Sequence, residues 1–450
     1  MTEQDPLALP DQAPRRSRAP SAAEILAIFL IALGLRLTVM VIVGSPHEAS
    51  GATAWEWGQE PACIADSLSR GDGYGDPFGR DTGVSAWLTP FYPGLLAGLF
   101  RLLGGVGVGA ALALFVLQAL VSAGTALLVL ALGRALGRPR VGRVGAWFFA
   151  LHPLGVWYAA HQVWDTTWVA AGLTAFLLGL VRARDRGARE CILLGLGFGA
   201  LLMINPAPIG ILPIVLLYLA PPRLKREALA RAGLFLLGVA IVCAPWSLRN
   251  LQALGTPGLR SNMGVELRVG NNDAADGMHQ TAHHPGWSDV ETKRLIELGE
   301  VAYAAESRDA TVAWVRDNPR RFARLCLRRA QIFWLGAFPT MDARIKDGVE
   351  ASKDSRSWMK WVIQLVSGLV AVVGAIRFLP AGANRWLVWG VLALFPLPYY
   401  VMHALERYRF PLDPLLALCA AGLLIRFWDM VRGEDEHRAP VTGTLLPLRR

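Results

Sequence analysis

EILAIFLIALGLRLTVMVIV occupies residues 24–43. At 1.5 Å per residue a helix of this length reaches roughly 30 Å, the thickness of a bilayer's hydrocarbon core. Arg15, Arg16 and Arg18 stand just before it. A cleaved signal peptide would have a shorter apolar core and a small-residue cleavage site. The run therefore reads as a retained membrane helix with a cytoplasmic N-terminus. The polar, Pro-rich residues 1–23 ahead of it read as a disordered tail.

The same length test finds further apolar runs along the 450 residues. They fall near 108–133, 143–160, 165–181, 191–204, 207–220, 232–246, 359–377, 386–402 and 411–428. Apolar residues make up 53% of the chain and charged residues 18%, with a mean hydropathy of +0.37. A soluble domain carries about 25% charged residues. Too little charge is present to cover a soluble surface, which excludes a soluble enzyme, a disordered chain and a disulfide-stapled secreted domain. The runs are too long and continuous for barrel strands. The expected fold is an all-α polytopic membrane protein of about ten transmembrane helices, with juxtamembrane helices and a small outer-face domain.

Charge orients the helices. The links 134–142, 182–190, 221–231 and 378–385 are basic, holding Arg134, Arg138, Arg140, Arg182, Arg184, Arg223, Lys225 and Arg385 among others. Basic links belong in the cytoplasm. Both termini then lie inside, the C-terminal tail being 429–450. The net charge of +10 is explained by these links, so no nucleic-acid partner is expected. Residues 44–90 carry Glu48, Glu56, Glu60, Asp66, Asp72, Asp76 and Asp81 against Arg70 and Arg80. Each charge at the membrane centre costs about 2.5–3.5 kcal/mol, so this loop stays in water or at the interface. It ends in TPFYPGLLAGLFRLLG (89–104), too short to span and expected to be juxtamembrane or re-entrant. The expected organisation is an N-terminal membrane module, 24–246, that includes the loop 44–104. A polar outer region, 247–357, and C-terminal membrane helices, 358–428, follow.

Cys191, Cys243 and Cys419 fall in apolar runs; only Cys63 and Cys326 fall outside them, and no disulfide framework is evident.

Candidate chemistry clusters at the expected outer face. Glu60 opens QEPACIADSLSRGDGYGDPFG (59–79), an apolar-faced helix that Gly71 and Gly73 should end. A partly desolvated carboxylate there suits a general base; an acid favoured by the helix dipole is the plainer reading. Glu56 in WEW competes for the same role. Asp165 lies in HQVWDTTW (161–168). One helix over 143–181 would be about 58 Å long, so a break near His161–Asp165 is required. Asp165 would cap the next helix, or serve as a second carboxylate that orients an acceptor or holds a divalent cation. Arg249, in PWSLRN (245–250), is either a snorkelling anchor or a phosphate ligand. Arg407 and Arg409 flank Tyr408 in HALERYRFPLDP (403–414) and carry the same two readings. Residues 317–334 form a basic interfacial helix with Arg320, Arg324 and Arg328 on one face, capped by Asp317 or Asn318. No P-loop, G-x-G-x-x-G, H-E-x-x-H or C-x-x-C motif is present.

Several of these stretches together resemble bacterial integral-membrane glycosyltransferases of the GT-C superfamily, the ArnT-like and protein-mannosyltransferase-like glycosyltransferase family 39 above all. The blocks run in order: the Glu60 helix, TGVSAWLTPFYPGLLAGLFRLLG (82–104), VWDTT (163–167), INPAP (204–208), PWSLRN, GVELRVGNN (264–272) and ERYRFP (406–411). The resemblance implies transfer of a hexosyl or pentosyl unit from a polyprenyl-phosphate sugar. The acceptor would be a lipid, glycan or protein of the cell envelope, on the periplasmic side of a bacterial inner membrane. It implies an acid of the first outer loop as base and a second acid assisting, positions matched by Glu60 and Asp165. The family often has adjacent Asp-Glu in that loop. Here Gln59 precedes Glu60 and Trp55 precedes Glu56, which leaves the choice between the two open. It does not decide metal dependence. A lipid or polysaccharide transporter or assembly scaffold is the competing class; it would carry inverted repeats and mid-membrane acids.

Overall fold

A computed structural model describes residues 20–48, 53–183, 187–220, 225–338, 355–378 and 383–432. The expected tails lie largely outside these residues. Among the described residues the structure is helical; one isolated bridge joins Gly75 to Val84 and no strand is found.

Among the described residues, six helices are long and apolar enough to span: Ala22–Val43, Val108–Ala135, Thr166–Ala183, Arg226–Leu254, Trp358–Ile376 and Glu406–Val431. The other four apolar runs are helical but shorter or divided. Residues 188–204 form one helix, and 207–219 a 3-10 turn followed by a short helix. Residues 383–394 and 397–401 are separated at Pro396. The run 143–160 divides at a point the apolar pattern hides: Pro139–Leu151 and Pro153–His161 meet at His152.

Chemistry at that break explains a buried cation. Pro153 has no N–H to donate to Phe149. Arg36, on the first membrane helix and 0% exposed, donates to the Phe149 and Ala150 carbonyls at 3.5 and 2.9 Å, to Ala32 O at 2.9 Å and to Ser122 Oγ at 2.8 Å. Carbonyls freed in an apolar layer must find a donor; Arg36 is that donor. The required second break is present, since a helix ends at His161 and the next begins at Thr166.

The ends of the helices sort into two sides. Glu24 pairs with Arg143 at 2.9 Å and Asp429 with Arg140 at 2.7 Å, so the start of the first helix, the basic link and the end of the last helix meet. At the other side Ser45 lies 3.2 Å from His161, and Asp165, Asn205, Arg260 and Arg407 gather.

Residues 91–103 form the short apolar helix expected there, packed through Tyr92, Leu96 and Phe100 against Trp57 and Phe115. The region after residue 254 is helical, with Met263–Gly270, Asp289–Leu298, Glu300–Asp317 and Pro319–Leu335. It shares a core with the first loop: Ile64, Phe78 and Trp87 pack with Val265, Val269, Leu295 and Tyr303. Pro319 opens the basic helix as expected, but Asn318 does not cap it. Its amide instead donates to Trp314 O of the preceding helix at 3.0 Å. Cys63 and Cys326 are free thiols.

Candidate functional site

Glu60 sits at a kink. The helix Ala54–Arg70 is interrupted at Gly58 and Gln59, the latter at φ 56°, ψ −142°. A positive φ on a residue other than glycine is strained and needs surrounding structure to hold it. Gly58 supplies part of that hold, because a Cβ there would lie 2.7 Å from Val163 Cγ1. Only glycine lets the kink approach the segment leading to Asp165. Pro61 then starts the second half, and Gly71 ends it in the left-handed conformation.

The kink turns Glu60 inward, leaving it 6% exposed. Its Oε1 lies 3.3 Å from His284 Nε2. His284 Nδ1 accepts the Gly286 N–H at 3.1 Å, so its proton sits on Nε2, facing Glu60. Burial, reinforced by His279, holds the His284 pKa well below the usual range. This is a neutral imidazole beside a carboxyl rather than an ion pair. Glu60 Oε2 is buried with no hydrogen-bond partner among the described residues. Burial pushes the Glu60 pKa up to about 7; Glu266 adds to the rise, and Arg407 and Arg260 oppose it.

Glu56, by contrast, is exposed and accepts the Thr53 N–H at 3.0 Å, while Thr53 accepts the Glu56 N–H at 3.2 Å. Those two bonds form a capping box.

Asp165 immediately precedes Thr166–Ala183, and its carbonyl accepts the Val169 N–H at 2.9 Å. Its carboxylate, 9% exposed, turns away from the helix. It accepts from Asn205 Nδ2 at 2.8 Å and lies 3.6 Å from the Arg260 guanidinium. Burial raises its pKa, against Arg260 and Asn205.

The three expected phosphate ligands part company. Arg249 donates to Ser85 O and Asn250 Oδ1 at 2.6 and 3.0 Å and to Tyr74 O at 2.9 Å, and lies over the Tyr74 and Trp246 rings. With Glu300, which accepts from Ser85 and Ala86, it fastens the first loop. Arg409 is 1% exposed, with its donors on Asp413, Trp334 O, Gln364 O and Ser367. Arg407 alone makes no hydrogen bond or ion pair among the described residues. It lies 4.3 Å over the Trp164 ring and 5.6 Å over Tyr408, partly exposed beside Asp165.

Arg260, Glu266, His279, His284 and His403 were not chosen as site residues from the sequence. Glu266 is pushed up to about 7 by burial, opposed by Arg260 and Arg407, and accepts from Asn262 at 2.9 Å. His279, His284 and His403 form a ring cluster with centroid spacings of 5.0 and 5.2 Å. One signal was available: MHQTAHHPGW (278–287) places three of the chain's eight histidines within six residues. Glu266, His279 and His403 bring ligand atoms within 4.8 Å of one another.

Buried carboxyls and one unmet cation, Arg407, thus converge where helix ends meet a helical cap. The overall fold, though not the site, can be compared with solved structures. An Archaeoglobus fulgidus oligosaccharyltransferase, tethered with an acceptor peptide, aligns over 92% of this chain and 50% of its own at 13% identity and TM-score 0.51. The same enzyme, AglB, with an inhibitory peptide and a dolichol-phosphate aligns over 91% and 51% at 12% identity and TM-score 0.50. The chain has a GT-C fold. Together with its spanning helices, this makes it an integral membrane protein. It spans about half the length of those oligosaccharyltransferase chains. ArnT from Cupriavidus metallidurans, bound to undecaprenyl phosphate, aligns over 90% of this chain and 79% of its own at 13% identity. The TM-score of that alignment is 0.40. No protein-family model and no curated protein sequence matches the chain.

Proposed function

We propose that the chain transfers a sugar from a polyprenyl-phosphate-linked donor to a hydroxyl-bearing acceptor of the cell envelope. The observation that carries this is Glu60: a buried carboxyl with a pKa near 7 and one oxygen unpartnered, within electrostatic reach of Arg407 and Arg260. A base is most effective when its pKa lies near the working pH.

In this reading Glu60 takes the acceptor's hydroxyl proton. The acceptor oxygen bonds to the donor's anomeric carbon as the bond to the lipid phosphate breaks. Negative charge grows on the departing phosphate, and preorganised cations stabilise it. Arg407 has its donors unspent and is the first choice for that role, with Arg260 beside it. Asp165, held by Asn205 and Arg260, positions the acceptor. Arg249 and Arg409 support the scaffold, since their donors are occupied. Glu56 remains the capping residue of the kinked helix.

The basic link containing Arg140 and Arg143 lies at the opposite end of the helices from the site. By the positive-inside rule the site then faces away from the cytoplasm, in the periplasm of a bacterial inner membrane.

The test uses purified protein and a panel of polyprenyl-phosphate sugars, following release of free polyprenyl phosphate in the presence of envelope extract. Release by the native chain but not by Glu60→Gln supports the reading. Movement of donor lipid across vesicles without cleavage would instead favour the transporter class.

A further inference from the structure

We propose that His284 is a positioning residue for Glu60: its Nε2–H holds one carboxyl oxygen and leaves the other aimed at the acceptor. The consequence for catalysis rests on the reading of Glu60 as the base; the contact itself does not.

The geometry assigns the proton of the imidazole. The Gly286 N–H donates to His284 Nδ1 at 3.1 Å, so Nδ1 carries the lone pair and Nε2 carries the hydrogen. Nε2 lies 3.3 Å from Glu60 Oε1, within donating reach. Glu60 Oε2 is buried without a hydrogen-bond partner among the described residues. One carboxyl thus has a held oxygen and a free one.

That asymmetry matters for a base. The last torsion of a carboxyl is a broad, two-fold rotor, so an unheld group exchanges its oxygens. A donor on Oε1 fixes the plane of the group and the direction of the Oε2 lone pairs. A general base must come within about 2.6–3.2 Å of the atom whose proton it takes, and an error of about 1 Å can cost about 10²-fold.

The ring that does the holding is itself held. His284 is 2% exposed. Phe78 and Trp87 meet its ring edge-on at centroid distances of 5.8 and 5.7 Å. Its N–H donates to Thr281 O at 3.0 Å, and its carbonyl accepts the Trp287 and Ser288 N–H groups, each at 3.0 Å. Gly286 is required where it stands, since a Cβ there would lie 2.1 Å from Trp55 Cη2. Trp55 belongs to the same kinked helix as Glu60. Glycine therefore lets the turn that carries the imidazole close onto the helix that carries the carboxyl.

The two ring nitrogens have separate tasks, Nδ1 shaping the turn and Nε2 serving Glu60. A glutamine amide nitrogen falls about where Nε2 sits, and an asparagine amide oxygen about where Nδ1 sits. His284→Asn keeps the turn and loses the carboxyl; His284→Gln does the reverse. A histidine that only builds the turn and one that positions Glu60 thus give opposite orders of activity.

The experiment uses full-length protein in detergent and follows polyprenyl phosphate release from a polyprenyl-phosphate sugar in the presence of envelope extract. Elution volume and melting temperature show that each variant is folded. His284→Phe and His284→Asn should lower kcat by about 10–10²-fold, with the donor's KM within about twofold of native. His284→Gln should recover most of that loss. In the Glu60→Gln background His284→Phe should cost nothing more, because a residue acting through Glu60 has nothing left to position. If His284→Phe does not fold, the Gln and Asn variants decide. A native-like His284→Asn beside an impaired His284→Gln, or a further loss in the Glu60→Gln background, overturns the proposal. A second readout needs no turnover. A donor on a carboxyl oxygen lowers its C=O stretch, and pH-difference infrared spectra, with Glu60→Gln assigning the band, should show that band moved in His284→Asn and kept in His284→Gln. A band unmoved in folded His284→Asn also overturns the proposal. If the native chain releases no polyprenyl phosphate, the sugar-transfer reading fails, and the infrared band alone decides whether His284 holds Glu60.

Discussion

Arg407 and Arg409 are two residues apart and live in different worlds. Arg409 points into the helix layer, where Asp413, two carbonyls and a serine use its donors. Arg407 faces the other way, stacked on Trp164 with its hydrogen-bonding groups unspent. The same contrast divides the molecule. Among the helices, the donors of Arg36 are met by carbonyls and a serine hydroxyl, and those of Arg409 by carbonyls, a serine and the Asp413 carboxylate. At the helix ends, Glu60 Oε2 and His403 Nδ1 are buried and unmatched. Buried polar groups are normally satisfied because leaving them so is costly. A titratable group left buried and unmatched beside other carboxyls and cations, as Glu60 is, is a candidate for chemistry rather than scaffolding.

The largest expected effect breaks the scaffold side. Arg409→Ala leaves Asp413 as a buried, unpaired carboxylate and strips two carbonyls of a donor, a loss of about 3–5 kcal/mol. Thermal melts and elution profiles of the detergent-solubilised protein should show loss of the folded species. A normally folded Arg409→Ala would dissolve the distinction between the two arginines.

Glu60→Gln is the matching test on the other side. The amide fits the same space and keeps a contact to His284, so melting should be close to native. Polyprenyl phosphate release should fall by about 10²-fold or more if Glu60 is the base. Near-native turnover here, beside a dead Glu56→Gln, would move the role to the capping residue.

Legibility in the sequence followed the same divide. Helices written by uninterrupted apolar runs were readable, as were the break before Asp165 and the Pro319 start, because each follows from length or from a missing N–H. The break at His152 was not, since Leu151 and Leu154 keep the run apolar across it. Glu60 and Asp165 were legible as acids at helix starts. Arg260, Glu266 and His403 were not, because their proximity is made by segments more than ninety residues apart, as with Asp165 and Arg260 or Glu266 and His403. The arginine motif ERYRFP could not say which cation turned inward; that is decided by the 3-10 helix Glu406–Leu412, whose register a motif does not carry.

The comparison sharpens with pH. Glu60 is active as a base only when ionised, and its pKa stands near 7. The value of kcat/KM should therefore rise about tenfold per pH unit below 7 and level off above it. Stability should run the opposite way. The folded pKa is raised above the ordinary 4.5, so the neutral form favours folding. That contribution is full below about 4.5 and is lost as pH rises through about 7. Melting temperature should fall across that window, and Glu60→Gln should flatten the fall. A flat activity profile would place the base elsewhere.

The smallest expected effect concerns Arg407→Lys. Lysine keeps the positive charge and reaches an interface as readily as arginine. It loses the planar fork that grips a phosphate through two parallel bonds, and the flat face that lies 4.3 Å over Trp164. Nothing in the scaffold depends on that fork, because Arg407 has no hydrogen bond to the protein among the described residues. Melting should therefore stay native while turnover drops several-fold and the donor's KM rises, since both the bound phosphate and the departing one use the same contact. Arg409→Lys separates the two roles: there a lysine cannot serve four acceptors at once, so stability should fall. If Arg407→Lys turns over normally, the cation is an anchor and the phosphate contact passes to Arg260, where Arg260→Lys repeats the measurement.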